Sequence, residues 1–214
     1  MSWRALRESR RYVGLAVLGD LALLAAGRRA GWLAGTTALV CLFFFRDPER
    51  PPSADEDAIY APADGVITDV GPAAEEWLED EKAMRVTTFL SVLDVHVTRS
   101  PVSGRIVLEE DLEGSLRPAF LRGAEENRRR RLAIDGPAGR VVLVQVAGSV
   151  ARRITPWRRI SDTVAAGERV GLIHFGSRAD VLVPRERVEV IARRGERVRA
   201  GVTVLARYLR EEQR

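Results

Sequence analysis

The sequence predicts a mainly β protein, a flattened β-sandwich or barrel with an apolar helical hairpin at its N-terminus. Two long apolar runs come first, at residues 12–26 and 30–45, and they predict the hairpin. Short strand-like segments punctuated by turn residues follow, which is the pattern of an all-β sandwich or barrel. With 214 residues, 46% of them hydrophobic and 30% charged, the chain is long enough for one globular domain and an appendage.

Neither apolar run is long enough to cross a bilayer comfortably. A helix of about 15 residues reaches roughly 22 Å, whereas the hydrocarbon core is about 30 Å thick. We therefore expect residues 1–46 to associate with the membrane as a tilted hairpin, or as one embedded mostly in a single leaflet. A buried hairpin in a soluble protein is the alternative. Membrane attachment with both flanks on the cytoplasmic side is favoured by the flanking arginines, which are Arg4, Arg7, Arg10, Arg11, Arg46 and Arg50.

Two residues inside the apolar runs bear on this hairpin. Asp20 interrupts the first run, where a charge is costly unless it is paired or near water, so we expect it on a helix face turned toward the cytosolic domain. Cys41 is the lone cysteine of the chain, which excludes an internal disulfide framework and any multi-cysteine zinc site. Because it lies in an apolar run, we expect Cys41 to be a small buried hydrophobe.

The charge balance favours an anionic partner. A formal net charge of +4 is compatible with nucleic acid or with a lipid surface. The charged stretch at residues 125–131 is typical of a solvated loop or helix face. It has none of the interleaved aromatic residues with which proteins bind single-stranded nucleic acid, so we expect lipid headgroups, and not nucleic acid, as its partner.

The chain beyond residue 46 reads as a linker followed by strands. Residues 46–57 are proline-rich and charged, as linkers are. A helix is expected at Ala73–Lys82. A weak repeat, Gly167–Gly171 and Gly195–Gly201, resembles the turn-strand units of biotinyl and lipoyl carrier domains, but the single lysine, Lys82, lies outside both copies, so we expect no carrier function. The expected strands are Gly65–Val70, Met84–Val92, Gly104–Leu108, Leu132–Ile134, Arg140–Val146, Arg169–Phe175 and Asp180–Val183.

Three segments of this β region carry residues that can do chemistry. Gly176-Ser177 joins two apolar strand-like runs; such a bond is most often a simple turn, but a strained one can react with its own side chain. Asp64 stands in the tight turn of Ala61-Pro-Ala-Asp-Gly65. His96 ends a strand-like run in Asp94-Val-His-Val-Thr-Arg99, and it is one of two histidines.

Taken in order, these segments resemble the phosphatidylserine decarboxylase family in its short bacterial and archaeal form. The family order is an apolar anchor, Phe43-Phe-Phe-Arg-Asp-Pro48, the Ala-Asp-Gly turn, the Asp-Val-His segment with Arg99-Ser-Pro, the segment 145–154, and Phe175-Gly-Ser-Arg-Ala-Asp180. The resemblance covers nearly the whole chain. It implies a proenzyme that cuts itself between Gly176 and Ser177.

The resemblance also implies a role for each site residue. Ser177 is the nucleophile of self-cleavage and becomes a pyruvoyl group, the covalent cofactor that forms a Schiff base with the substrate amine and accepts the electron pair as CO₂ leaves. His96 is the general base and acid, and Asp64 orients it. No metal is implied. The products are a β chain, 1–176, whose catalytic part is 47–176, and an α chain, 177–214, which belongs to the same β domain and pairs with it as a heterodimer.

The implied activity is decarboxylation of phosphatidylserine to phosphatidylethanolamine at the cytoplasmic face of the cell membrane. Two alternatives stay open from the sequence: a pyruvoyl decarboxylase for another amino-acid headgroup, and a non-catalytic, membrane-tethered β-sandwich binding module. Two positions depart from the family pattern. Arg99 stands where longer members have a second histidine, and Asn127-Arg-Arg129 stands where the family often has Asn-Glu-Arg. His174 matches no catalytic position and is expected to be structural.

Overall fold

The structure is a computed structural model that describes residues 3–51, 55–78, 82–115, 127–148, 153–174 and 177–209. The chain divides into two compact units, Met1–Glu49 and Arg50–Arg214. The first unit is helical and the second is built from strands, so the prediction of a mainly β fold with an N-terminal helical pair is confirmed.

The helical unit consists of α1 (Trp3–Ala25) and α2 (Trp32–Phe44), which pack against each other. Asp20 is only 6% exposed, and its carboxylate accepts hydrogen bonds from the backbone N–H groups of Leu33 and Ala34, at 3.3 and 2.9 Å. It thereby satisfies amides in the first turn of α2 that no helical carbonyl can reach. We expected Asp20 to face the cytosolic domain; its hydrogen-bond partners within the hairpin were not predicted. Cys41 is buried, as predicted.

The helical pair leaves much of its apolar surface exposed. Within the described residues, no helix combines the length and hydrophobicity needed to cross a membrane. The large apolar side chains with at least half of their surface exposed are Leu15, Leu18, Leu21, Leu24, Trp32, Leu39, Val40, Leu42 and Phe43. So many exposed large apolar side chains on one helical pair are uncommon on a monomeric soluble protein.

The strands of the second unit are short and closely spaced, as the turn signals predict. In chain order they are β1 (Ala58–Tyr60), β2 (Gly65–Ala74), β3 (Lys82–Leu90), β4 (Val97–Arg99), β5 (Gly104–Leu112), β6 (Arg129–Gly136), β7 (Gly139–Val146), β8 (Ile154–Pro156), β9 (Thr163–Val164), β10 (Arg169–Ile173), β11 (Ser177–Pro184), β12 (Val188–Val190), β13 (Arg197–Val198) and β14 (Val204–Tyr208).

Eight of these strands form one curled, half-barrel sheet in the order β13-β2-β3-β11-β7-β6-β5-β9. Two small sheets accompany it, β1-β14-β12 and β4-β10-β8. Strand β11 lies near the middle of the large sheet, antiparallel to β3 and β7. Its alternate residues enter two different cores, because Val181 joins the main apolar cluster with Leu143 whereas Leu182 joins a second cluster with Val142 and Leu78. Both faces of β11 are therefore buried.

Two local predictions are wrong. The helix expected at Ala73–Lys82 is a β-hairpin, in which β2 runs to Ala74, β3 begins at Lys82, and these two residues pair across the strands; residues 79–81 lie outside the described residues. The turn is closed by Glu75, whose carbonyl accepts a hydrogen bond from Leu78 N–H at 3.0 Å and whose carboxylate accepts one from Trp77 N–H at 3.1 Å. These local bonds compete with helix formation.

The second wrong prediction is the solvated loop at residues 125–131, of which the structure describes residues 127–131. Its last three residues begin β6, and the Arg130 side chain is 1% exposed and paired with Glu109 at 2.7 Å. Arg131 is paired with Glu75 and with Glu110, the latter at 2.8 Å, and its guanidinium lies 3.9 Å from the centre of the Trp77 ring. These two arginines are thus occupied by carboxylates from neighbouring segments. Residues 125 and 126 lie outside the described residues.

Candidate active site

Ser177 is the first residue of β11 and lies opposite Leu90, the last residue of β3. Its side chain is completely buried, and its Oγ makes no hydrogen bond within the described part of the chain. A buried hydroxyl left without a partner costs about 1–3 kcal/mol, so most buried hydroxyls in native proteins are hydrogen-bonded. Ser177 therefore holds an uncommitted hydroxyl at the start of a central strand. Its predicted partner in cleavage, Gly176, lies outside the described residues.

His96 lies in the connection between β3 and β4 and is completely buried. Its Nδ1 is 2.9 Å from the carbonyl oxygen of Asp94. A carbonyl can only accept, so Nδ1 carries the proton and donates it to this bond. In a neutral imidazole the other nitrogen, Nε2, is then the basic one. The backbone carbonyl of His96 accepts a hydrogen bond from the N–H of Ile173 at 3.1 Å, which ties the histidine to the end of β10.

Two backbone links bring His96 and Ser177 to the same end of the large sheet. Ser177 pairs with Leu90, and His96 follows Leu90 after a short turn. In the other direction, Ile173 is bonded to His96 and precedes Ser177 by four residues. His96 is therefore linked to Ser177 along two routes, one through Leu90 and one through Ile173.

Asp64 is held by partners other than His96. Its carboxylate accepts two hydrogen bonds from the guanidinium of Arg50, at 2.6 and 2.7 Å, and one from the backbone N–H of Ala200 at 2.8 Å. A planar guanidinium bonded through two nitrogens is a geometrically specific pair. The role of Asp64 in orienting His96 stays a prediction.

The turn that carries Asp64 nevertheless packs beside Ser177. Gly65 has φ of +156°, and a Cβ at this position would overlap the carbonyl oxygen of Phe89, so only glycine lets the turn approach β3 this closely. Ala63 forms a buried cluster with Leu90 and Ala179. Leu90 faces Ser177 across the strands and Ala179 follows it by two residues. Asp64, His96 and Ser177 thus gather at one end of β3 and β11.

A row of polar side chains crosses the sheet next to Ser177. Thr88 on β3, Ala179 on β11 and Gln145 on β7 lie directly opposite one another, on the sheet face that also carries Ser177. Thr88 and Gln145 are completely buried. The Thr88 Oγ1 and Gln145 Oε1 atoms, like the Ser177 Oγ, have no hydrogen-bond partner in the described part of the chain. This face therefore offers a polar ligand three uncommitted groups.

Gln145 also ties the small sheet to this face. Its Nε2 donates a hydrogen bond to the Oγ1 of Thr98 on β4, at 2.5 Å, two residues after His96. Gly171 on β10 lies so close that a Cβ there would come within 3.0 Å of the Gln145 Nε2 and 2.9 Å of the Thr155 carbonyl oxygen. The glycine lets β10 lie against Gln145. Together these contacts fix β4, and with it His96, over the face of Ser177.

The opposite face of β11 carries an ion pair. Arg178 and Asp180, two residues apart on the strand, are 7% and 4% exposed and make two hydrogen bonds, Nε to Oδ1 at 2.8 Å and NH2 to Oδ2 at 2.7 Å. Asp180 was visible in the sequence as a residue beside the Gly-Ser dipeptide, but its pairing with Arg178 was not. Their spacing of two could have suggested it, because residues two apart on a strand share a face.

The partner of Arg50 could not be read from the sequence. We expected Arg50 to be a membrane-flanking charge, whereas its side chain is 9% exposed and holds Asp64. The positions that depart from the family pattern have partners too. Arg99 NH1 donates to the carbonyl oxygen of Gly167 at 2.8 Å, and Asn127 Nδ2 donates to that of Ala147 at 3.0 Å. His174 Nε2 lies 3.1 Å from Thr155 Oγ1, and its structural role stays a prediction.

Within the described residues, no group of three histidine, cysteine, aspartate or glutamate side chains is placed to hold a metal ion.

Comparisons with known proteins identify relatives of this chain. Residues 37–206 match the family model described as phosphatidylserine decarboxylase. A curated relative, the phosphatidylserine decarboxylase proenzyme of Carboxydothermus hydrogenoformans (strain ATCC BAA-161 / DSM 6008 / Z-2901), is 39% identical over 196 residues, which covers 90% of this chain and 92% of that protein. The matched region contains Asp64, His96 and Ser177.

Proposed function

Since the chain belongs to the phosphatidylserine decarboxylase family and is a carboxy-lyase, we propose that it cuts itself between Gly176 and Ser177 and uses the pyruvoyl group formed from Ser177 to convert phosphatidylserine to phosphatidylethanolamine and CO₂. The observation that carries this proposal is the Ser177 hydroxyl, which is buried at the start of a central strand and makes no hydrogen bond in the described part of the chain.

In the self-cleavage step, the Ser177 Oγ attacks the carbonyl carbon of Gly176 while Nε2 of His96 takes the hydroxyl proton. The peptide C–N bond breaks, the proton passes to the amino group of Ser177, and an ester joins the two residues. Loss of the Ser177 α-proton then expels the ester as the Gly176 carboxylate. Water converts the remaining enamine to the ketone and releases ammonia. The hydrogen bond from His96 Nδ1 to the Asp94 carbonyl supports this role, because it leaves Nε2 basic.

The surroundings of Ser177 fit a pyruvoyl group. Conversion of the serine removes its hydroxyl, and this hydroxyl has no hydrogen bond to lose within the described residues. When formed, the ketone supplies the electron sink for the electron pair released as CO₂ departs. Burial of Ser177 and His96 would keep water away from the reacting atoms. His96 Nε2, which is unprotonated in the neutral ring, would take a proton from the substrate's ammonium group and later return a proton to the substrate carbon.

We propose that the two chains remain together after cleavage. The α chain, 177–214, begins with β11, which pairs with β3 over eight residues and with β7 over five. Later strands of the same segment pair with β1 and β2. Cleavage before Ser177 breaks none of these backbone pairings, so the heterodimer with the β chain, 1–176, is held by the sheet itself.

The hairpin, residues 1–46, is proposed to attach the enzyme to the cytoplasmic face of the cell membrane. Its exposed apolar side chains, such as Leu15 and Leu39 at 69% and 70% exposed, would be buried by lipid. Arginines flank both apolar runs, as expected for segments that stay on the cytoplasmic side. Attachment would concentrate the enzyme where its lipid substrate lies.

A denaturing gel tests the proposed cleavage. Wild-type protein should run as two chains, and Ser177→Ala should run as one chain without decarboxylase activity. Ser100→Ala is the matched control, because Ser100 is also a completely buried serine but donates its hydroxyl to the carbonyl of Val102 at 2.6 Å. The control should be cut as the wild type is. Cleavage of Ser177→Ala, or full activity of an uncut wild-type chain, would overturn the proposal.

A further inference from the structure

The turn between β3 and His96 exposes two apolar side chains beside the site. Val92 and Leu93 are 52% and 66% exposed at the tip of the segment Ser91–Asp94, which we term the 91–94 turn. Single exposed apolar residues are common on protein surfaces and need no explanation. This pair differs because it is contiguous and lies three residues before His96, at the end of the sheet where Ser177 begins β11.

The 91–94 turn is held rigidly in this form. The Asp94 Oδ2 accepts hydrogen bonds from the backbone N–H and the hydroxyl of Ser91, at 2.9 and 2.7 Å. The N–H of Asp94 donates to the Ser91 carbonyl at 3.0 Å. Four consecutive residues closed by three hydrogen bonds lose little further conformational freedom on binding. The apolar tip is therefore presented outward by a built turn.

An edge rich in arginine lies next to this tip. Arg197 NH1 is 3.5 Å from the Asp94 Oδ1, and its strand β13 pairs with the start of β2, which in turn pairs with the end of β3. The segment 193–199 contains four exposed arginines and one glutamate, and we term it the arginine edge; its arginines are Arg193, Arg194, Arg197 and Arg199. An apolar tip beside a cationic edge is complementary to a surface that is negatively charged outside and apolar beneath.

We propose that the 91–94 turn inserts Val92 and Leu93 into the interfacial region of an anionic lipid bilayer while the arginine edge lies on the headgroups. The end of the sheet that carries Ser177 and His96 then faces the membrane in which the lipid substrate lies. Charge complementarity selects this occupant, since a bilayer containing phosphatidylserine is negatively charged. The inference rests on the proposed function for the identity of the substrate, but the contact is made by the β unit's own surface.

A double variant, Val92→Ser with Leu93→Ser, tests the contact through activity. It should be cut normally and should decarboxylate detergent-dispersed short-chain phosphatidylserine as the wild type does. On vesicles of equal parts phosphatidylcholine and phosphatidylserine its kcat/KM should fall about tenfold, because two apolar side chains no longer enter the interface. Ile160→Ser with Val202→Ser is the matched control, 52% and 48% exposed, and should keep the wild-type rate on both substrates. Equal vesicle activity of both double variants would overturn the proposal.

A fluorescent probe tests the contact without reference to activity. In a Cys41→Ala background, Leu93→Cys carries an environment-sensitive nitrobenzoxadiazole label, and Ile160→Cys carries the same label as a control. The label at 93 should shift to the blue on the mixed vesicles, less so on pure phosphatidylcholine, and the label at 160 should not shift. A probe at 93 that stays water-exposed on the mixed vesicles overturns the proposal. A blue shift without vesicles that grows with protein concentration also overturns it, in favour of a second copy of the chain.

The arginine edge is tested by Arg193→Gln with Arg194→Gln. Each lost charge near an anionic surface should weaken vesicle binding by about fivefold at low salt. Added salt should narrow the difference from wild type, since it screens the remaining charges. If the variant binds vesicles as tightly as the wild type at low salt and at added salt, the arginine edge does not contact the membrane. If the wild type decarboxylates no form of phosphatidylserine, the proposed function fails, while the probe at residue 93 still tests insertion.

Discussion

The two faces of β11 differ in the buried polar groups that they carry. The charges on one face are paired, because Arg178 and Asp180 bind each other through two hydrogen bonds. On the other face, the Ser177 hydroxyl and the neighbouring Thr88 and Gln145 oxygens are buried without hydrogen-bond partners in the described part of the chain. We term these the paired face and the open face. The paired face holds two charges together and has, within the described residues, one unpartnered hydroxyl beside them, that of Thr87 on β3. The open face gathers three groups that lack partners in the described residues, at and around Ser177, a cost that stability alone does not explain.

The largest expected effect is on the open face. His96→Gln should slow self-cleavage by about 10²–10⁴-fold, because a general base contributes that much to a proton transfer. The chain's other histidine provides the control: His174→Gln removes a ring that contacts the Thr155 hydroxyl and is expected to be structural, so this variant should be cut at nearly the wild-type rate. Cleavage is followed on denaturing gels over time after synthesis. If His174→Gln stays uncut while His96→Gln is cut normally, His96 is not the base of self-cleavage.

On the paired face, a substitution should cost stability. Asp180→Ala removes the carboxylate that accepts two hydrogen bonds from the buried Arg178 guanidinium, which should lower the free energy of unfolding by about 3–5 kcal/mol. Replacing both residues with apolar ones of similar volume, as in Arg178→Met with Asp180→Leu, should recover most of that loss. Urea unfolding measures both variants. If the single and double variants are equally destabilised, the two charges do not act as a pair.

A comparison of Asp64→Asn with Arg50→Gln sharpens the role of Asp64. Both variants break the same two-nitrogen pair, so each should lower stability by about 1.5–3 kcal/mol. If Asp64 also orients His96, Asp64→Asn should slow self-cleavage at least tenfold more than Arg50→Gln does. Equal cleavage rates would confine Asp64 to its partnership with Arg50 and Ala200.

The smallest effect separates the two faces most cleanly. Thr87 and Thr88 are adjacent and buried, and neither hydroxyl has a hydrogen-bond partner within the described residues. Thr88 lies on the open face and Thr87 on the paired face. Replacing either by valine should leave stability unchanged or raise it by about 1 kcal/mol, because an unsatisfied polar group is removed. Only Thr88→Val should lower kcat. Equal kcat values for the two variants would remove Thr88 from the site.

Much of the fold could be predicted because its signals are local. Alternating apolar residues and turn glycines marked the segments that became β2, β3, β5, β7, β10 and β11, and two apolar runs marked the helices. The helix prediction at Ala73–Lys82 was wrong because the segment is charged and has few strand-favouring residues, and because the Glu75 side chain stabilises a turn there. The wrong loop at 125–131 arose because its arginines find carboxylates on β5 and at Glu75, distant in sequence.

The candidate site shows the same division between local and distant signals. The motifs around Asp64, His96 and Ser177 could be read in order along the chain. The pairing of Asp64 with Arg50 could not, since both residues also fit simpler roles as a turn residue and a membrane-flanking charge. The row of Thr88, Ala179 and Gln145 depends on the register of three strands from distant segments, and one sequence does not determine that register.

The mass of the purified full-length protein under denaturing conditions shows whether the chain is cut and whether Ser177 is converted. We expect two species, residues 1–176 and residues 177–214, the smaller one lighter by one ammonia than the same peptide with an N-terminal serine. A single species of 214 residues with full decarboxylase activity, or a small chain that begins with an unmodified serine, would contradict it.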